Sequence, residues 1–353
     1  MTTALKNMAP RFKAGKANSG STVGAGYAKG LLDFAVSKQA SRERLLQHAQ
    51  ISDDDLADLD NRIPFEKYKA LMRASIELAN DPALALHFGE EVAFSELSVV
   101  GLIADACETL LHAFTEVNRY NALVIQVDGV ACGPRFQLTR EGNQTWLIDN
   151  RTDPNDFPEL TESGWARMTC GARRFVPAGK VHVKEVHVTH AAPGYRAEYD
   201  RIFKAPTVFE SSRNALMIDE SLMLNRVART TNYAFGVLSE HAKALLESLE
   251  NSKTTRGRVE SLLIPILHAG DPGINRIAEQ MGASRPTLYR KLKTEGVTYE
   301  KLLDELRHKM ALHYLNGKKV SVNETAYLVG FSDPSAFSRA FRRWTGTSPR
   351  NRL

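Results

Sequence analysis

The sequence predicts an α+β N-terminal domain, with helices flanking a small sheet, followed by an all-α C-terminal domain with two helix-turn-helix units joined by a long helix. Three observations carry this prediction. Apolar residues recur at spacings of three and four over most of the chain, but alternate between residues 123 and 148. A pattern of short helix, Gly, polar cap, Pro and second helix occurs twice in the last hundred residues. Charge is also divided: residues 253–353 carry 18 basic and 9 acidic residues, whereas residues 30–252 carry 23 basic and 32 acidic. A chain of 353 residues that is 43% apolar and 25% charged has the composition of a globular protein of two domains.

Residues 1–29 are rich in Gly, Ser, Ala and Lys, and hold Lys6, Arg11, Lys13, Lys16 and Lys29 with no acid, which predicts a disordered basic arm. An amphipathic helix starts with Leu31, Leu32, Phe34 and Ala35, and a second is outlined by Phe65, Tyr68, Leu71, Met72 and Ile76. Asp53, Asp54 and Asp55 suit a helix start, where carboxylates complement the dipole, better than a metal site. Residues 84–94 and 102–120 continue as helix, the latter with Leu102, Ile103, Ala106, Leu110 and Leu111 as its apolar stripe. Alternation at Leu123, Ile125 and Val127, then at Phe136 and Leu138, then at Trp146 and Ile148, marks short strands separated by Gly-containing turns. A helix over 158–176 carries Leu160, Trp165, Met168 and Ala172, and strands follow at 181–188, 207–210 and 215–218. The stretch 225–249 is helical, with Leu238, Ala242, Leu245, Leu246 and Leu249 on one stripe, and the polar run after it places a domain boundary between residues 250 and 251.

Several functions lack a footing. No run approaches 18 apolar residues, so a membrane-spanning helix is not expected. Cys107, Cys132 and Cys170 are too scattered for a disulfide scaffold or a thiolate zinc site. Such cysteine usage, with no secretory-type leader, predicts a cytoplasmic protein. There is no phosphate-cradling Gly-rich loop, nucleophile elbow or His-Glu-x-x-His motif. Nothing in the spacing brings Asp149 and Glu159 together as a carboxylate pair. Strand alternation turns His187 away from His182 and His190, against a shared metal. No catalytic residue, metal or cofactor is expected.

The repeat is the informative part. One copy reads INRIAEQMGASRPTL (274–288) and the other VNETAYLVGFSDPSAF (322–337). Gly282 and Gly330 supply the left-handed backbone that closes a helix. Ser284, and either Ser332 or Asp333, cap the next helix, and Pro286 and Pro334 fit its first turn. Helix, tight turn, helix is the outline of a groove-reading unit whose second helix enters the major groove. Helical spacing turns Leu288, Leu292, Phe337 and Phe341 inward, leaving Tyr289, Arg290, Lys293, Ser335, Arg339, Arg342 and Arg343 available outward. Arg pairs bidentately with guanine, which selects Arg290 and Arg339 as base readers. Lys291, Lys293, Arg342 and Arg343 suit phosphates. Between the units, residues 299–316 form a helical strut with Leu302, Leu303, Leu306, Met310, Leu312 and Leu315 buried.

On these residues, the stretch from about 258 to 353 closely resembles the DNA-binding domain of the AraC family of bacterial transcription regulators. The segment AYLVGFSDPSAFSRAFRRWTGTSP (326–349) matches the family signature nearly throughout. The resemblance implies base contacts at Pro286, Tyr289 and Arg290 in the first unit and at Ser335 and Arg339 in the second. Arg352 falls near the family's closing Tyr-Arg pair, with Asn351 in place of the aromatic residue. More faintly, residues 31–250 resemble the long N-terminal domain of the ornithine-utilisation-regulator branch, through YDRIF (199–203), Val208, Phe209 and NALMID (214–219). That implies an effector-sensing and dimerisation domain over 30–250 and a DNA-binding domain over 251–353. The partners implied are double-stranded DNA read over two adjacent major-groove segments, a small organic effector of lipid-like or amino-acid-like class, a second copy of the chain and RNA polymerase. No membrane is implied, and the location expected is the bacterial cytoplasm, at the nucleoid.

Overall fold

The computed structural model describes residues 20–130, 134–173, 176, 182–224, 232–270, 273–316 and 320–349. Its contacts divide the chain into two units, residues 1–246 and 247–353.

The first unit opens on β1 (Thr22–Gly24) and α1 (Ala25–Ser37), so the expected disordered arm is corrected over residues 20–29, while residues 1–19 lie outside the described residues. The small residues that suggested disorder permit close packing instead. A Cβ on Gly26 would lie 2.4 Å from the Leu97 carbonyl oxygen, and one on Gly30 would lie 2.1 Å from the Leu97 side chain.

Next come α2 (Arg42–Ala49), α3 (Asp53–Leu56), β2 (Arg62–Pro64), α4 (Phe65–Leu78) and α5 (Leu84–Glu91). The acidic run starts α3: the Ser52 hydroxyl accepts the Asp55 amide at 3.2 Å, and the Asp55 carboxylate accepts the Ser52 amide at 3.0 Å. The single helix expected over 102–120 is two, α6 (Val99–Asp105) and α7 (Leu110–Arg119). Thr109 restarts the chain as N-cap, accepting the His112 amide at 3.1 Å. The break rotates the stripe, leaving Leu102 42% and Leu111 37% exposed.

Alternation at 123–127 yields a helical turn, α8 (Asn121–Val124), and only a two-residue strand, β3 (Ile125–Gln126). That strand pairs with β1 in a three-stranded sheet of order β2-β1-β3, so the unit holds two sheets where one was expected. The second sheet follows from β4 (Phe136–Glu141), β5 (Gln144–Asp149), α9 (Glu159–Ala172), β6 (Val183–His187), α10 (Arg196–Phe203), β7 (Thr207–Val208) and β8 (Asn214–Ile218). Its order is β4-β5-β8-β6-β7, antiparallel except for β6 with β7. One core lies among the helices around Leu31, Tyr68 and Phe88, and another lies under the five-stranded sheet around Trp165, Tyr199 and Phe203.

Residues 225–231 of the expected helix lie outside the described residues, and α11 covers Asn232–Lys253. Ala242 is buried, with Leu238 and Leu246 packed beside it. The helix continues into the polar run, and Thr254 then caps α12 (Thr255–Leu263), accepting the Gly257 amide at 2.9 Å.

The second unit continues with α13 (Gly273–Gln280), α14 (Arg285–Thr294), α15 (Tyr299–Asn316), α16 (Val322–Leu328) and α17 (Pro334–Thr345). Its core joins Leu263, Leu288, Leu302, Leu306, Phe337 and Phe341. Along α15, Leu302, Leu303, Leu306 and Leu315 are buried as expected; Met310 and Leu312 are only half-buried, and Ala311 is fully enclosed. Among the described residues no helix is long and apolar enough to cross a membrane.

Candidate nucleic-acid interface

Both repeat copies close their first helix in the same way. Gly282 has φ +63° and Gly330 φ +82°. In the first copy the Ala283 amide donates to the Ala278 carbonyl at 2.9 Å and the Gly282 amide to Glu279 at 3.0 Å; in the second, Phe331 donates to Ala326 at 2.9 Å and Gly330 to Tyr327 at 3.0 Å. These paired bonds satisfy the last carbonyls of each helix.

The copies then diverge. Ser284 caps α14, its hydroxyl accepting the Thr287 amide at 3.4 Å. Asp333, rather than Ser332, caps α17, accepting the amides of Ser335 at 3.2 Å and Ala336 at 2.9 Å. Those two amides hold the Asp333 carboxyl below its ordinary range, and Arg339 adds to the effect. Each cap lies at a different distance from its glycine, so the second turn is one residue longer than the first. Counted from the caps, Pro286 and Ser335 occupy the second helical position, Arg290 and Arg339 the sixth, and Lys293 and Arg342 the ninth.

The inward residues Leu288, Leu292, Phe337 and Phe341 are buried. Pro286, Tyr289, Arg290, Lys291 and Lys293 are exposed on α14, and Ser335, Arg339, Arg342 and Arg343 on α17. Arg290, Lys291, Lys293, Arg339 and Arg342 form no ion pair with any described residue. Arg343 differs: its Nη2 lies 3.0 Å from both carboxylate oxygens of Asp304 on α15, and the Trp344 indole N–H donates to the same carboxylate at 2.9 Å. That cation is pinned and partly neutralised.

Two supporting residues carry no sequence signal. Arg307, in mid-α15, donates to the carbonyls of Val329 at 3.2 Å and Gly330 at 3.4 Å, with its cation 5.1 Å from the Phe331 ring centre, bracing the second turn against the strut. Glu295, just past α14, accepts the amides of Thr255 at 2.7 Å and Arg256 at 2.8 Å. Burial pushes its carboxyl up, but these amides outweigh it and hold the group below its usual range. Neither an Arg in a helix interior nor a Glu at a helix end stands out in a periodicity. Arg352 and Asn351 lie outside the described residues.

The three histidines of the first unit part for a different reason from the one expected. Only His187 belongs to β6; His182 precedes the strand and His190 follows it. His187 Nδ1 lies 2.9 Å from Ser211 Oγ and its Nε2 3.2 Å from Glu185, whereas His190 Nε2 lies 3.0 Å from the Tyr199 hydroxyl. Asp149 is engaged by Arg135 and Arg151, at 3.2 and 3.0 Å. Burial pushes its carboxyl up, but the two guanidiniums prevail and hold it below the usual range.

Comparison with known proteins finds a family match within each of the two units. Residues 40–227 match the family described as the arabinose-binding domain of AraC transcription regulator, N-terminal, and residues 277–352 match a helix-turn-helix domain. The ornithine utilization regulator of Pseudomonas aeruginosa is 25% identical over 325 residues, 92% of this chain and 94% of that protein. The HTH-type transcriptional activator RhaS of Escherichia coli is 39% identical over 112 residues, 31% of this chain and 39% of its own length. Among solved structures, the transcriptional regulator CdpR from Pseudomonas aeruginosa is 22% identical, covering 90% of this chain and 97% of that one, with a TM-score of 0.41.

Proposed function

This chain belongs to the AraC family of DNA-binding transcription regulators, and from that premise we propose that α14 and α17 enter successive major-groove segments of one duplex, under the control of a small organic effector held within residues 30–250. The observation that carries the reading is the matched placement of Arg290 and Arg339. Each stands six residues beyond its cap, exposed, with no ion pair to a described residue, on a helix whose other face is core. A guanidinium so placed is free to take guanine O6 and N7 together. Tyr289 and Ser335 flank these readers, and Pro286, with no side-chain donor, offers a thymine methyl only apolar contact. Lys291, Lys293, Arg342 and, more weakly, Arg343 take phosphates. The 18 residues of α15 span about 27 Å at 1.5 Å each, a reach suited to the ~34 Å repeat of the groove.

Selection of bound genomic fragments supplies the operator. On it, Arg290→Ala and Arg339→Ala should each cost about 1–3 kcal/mol and relax preference at one base pair. Parental affinity in both variants removes the assignment. Effector control requires a ligand that favours one arrangement over another, which operator affinity measured with and without ligand reads directly. Pairing with a second copy is part of the same reading, and sedimentation across protein concentration tests it.

A further inference from the structure

Between the helices of the first unit and its five-stranded sheet lies a cavity of about 450 Å³, within the ~300–1,000 Å³ usual for small-molecule sites. Its wall is largely apolar, with Phe94, Phe114, Leu138, Leu147, Met168 and Ile218 contributing.

Helix α9 brings two unusual features to this wall. Gly164 and Gly171, seven residues and so about two turns apart, both line the cavity, and a Cβ built on either meets nothing within 4 Å. Glycine weakens a helix interior, and here no neighbour demands it. Gly89 on α5 is the contrast: its Cβ would lie 2.4 Å from the Ser163 carbonyl oxygen. What Gly164 and Gly171 leave is open room.

The second feature is Arg167. It is buried, donates to the carbonyl of Phe88 at 3.1 Å and to that of Val92, and rests 4.7 Å from the Phe88 ring centre and 5.3 Å from that of Tyr27. No carboxylate among the described residues pairs with it, and its Nε–H is buried without a partner. A buried cation lacking a counter-charge is costly. The other guanidinium in the wall, Arg135, is already matched by Asp149. The wall's Glu90 and Glu91 are likewise tied, to Arg201 and Lys38.

We propose that this cavity holds a hydrophobic monocarboxylic acid, its chain or ring along the apolar wall and its carboxylate answering Arg167. The inference rests on the effector-controlled reading above and deepens it by naming the ligand class. A sugar fits poorly, because each hydroxyl needs a polar partner in a wall that is mostly apolar. An amino acid fits poorly as well, because its ammonium group would meet Glu90 and Glu91, already paired, or Asp105, which is exposed and not free.

The test uses the full chain with decanoate, decanamide, L-arabinose and L-ornithine, read by calorimetry and by thermal unfolding. Decanoate should raise Tm and bind at least about tenfold more tightly than decanamide, a margin of ~1.4 kcal/mol. Arg167→Met should abolish that margin and Arg167→Lys restore part of it. Should Arg167→Met fail to fold, Gly164→Leu decides: it fills open room and removes a helix-weakening glycine, so it should keep at least the parental Tm and the ligand-free operator affinity while losing decanoate binding. Equal binding of acid and amide, undiminished decanoate binding by Gly164→Leu, or stabilisation by arabinose or ornithine alone overturns the proposal. Decanoate that binds through Arg167 without altering operator affinity upholds the ligand and removes the effector role. Decanoate that does not bind, while operator affinity answers to another metabolite, upholds the effector role and overturns the ligand.

Discussion

Glu162 and His182 are buried titratable groups of the first unit that shift in opposite senses. Burial pushes Glu162 up to about 7, against hydrogen bonds to its Oε1 from Tyr199 at 2.6 Å and Tyr195 at 2.9 Å. Burial, then the nearby Arg173 charge, pushes His182 down to about 4. A carboxyl with a raised folded value favours the fold when protonated, so its contribution is lost as pH rises from about 4.5 through 7. A histidine with a lowered folded value contributes above about 6.5 and loses that contribution as pH falls through 4. Each effect is on the order of 3 kcal/mol, so between about 4.5 and 6.5 they oppose one another. The two single variants should therefore separate in urea unfolding. Relative to the parent, Glu162→Gln should lose stability more steeply as pH falls from 6.5 to 4.5, and His182→Gln should lose it more steeply as pH rises. Parallel profiles for parent and both variants would show that neither group titrates as described.

At the level of elements, the duplicated turn was legible because its chemistry is local. A positive-φ glycine, a capping oxygen and a proline in the first helical turn each satisfy backbone demands that no distant residue can alter. Yet the two glycines that read alike in the sequence are unequal in the fold. A Cβ at Gly282 meets nothing within 4 Å, whereas one at Gly330 would lie 2.2 Å from the Leu267 carbonyl oxygen. Gly282→Ala should cost only the backbone strain, about 1–2 kcal/mol, and Gly330→Ala clearly more, as a larger drop in urea midpoint. Equal losses would mean that Leu267 yields freely. Elements set by distant partners were misread for the corresponding reason. The restart of the chain at α7 is held from afar as well as by the Thr109 cap, the Leu111 amide donating to the Met223 carbonyl at 2.9 Å, and Gly26 and Gly30 signify close contact with Leu97 rather than looseness. Two-residue β3 exists because β1 lies beside it.

Across the whole molecule, the division of charge is legible in composition, but which cations remain available is not. Arg343 reads like Arg342 in the sequence, and only the fold brings Asp304 to it. Removing Lys291, Lys293 or Arg342 should each weaken operator binding at all sequences and lower the slope of log affinity against log salt by about one. Removing Arg343 should change that slope less, since Asp304 already screens it. A slope change for Arg343→Ala equal to that for Arg342→Ala would show that DNA displaces the carboxylate. The cavity was beyond reading from the sequence, because its wall gathers residues from α1 to β8 and its room depends on what Gly164 and Gly171 omit.

The extra residue before α17 also governs how its surface can be re-engineered. Anyone transplanting the specificity of α14 onto α17 by matching Gly282 to Gly330 would set every grafted side chain one place out of phase, a turn of about 100° about the helix axis. Arg290 would land on Ser338, which is only half exposed, instead of Arg339. Chimeras keyed to Ser284 and Asp333 keep the phase, and only those compare like with like.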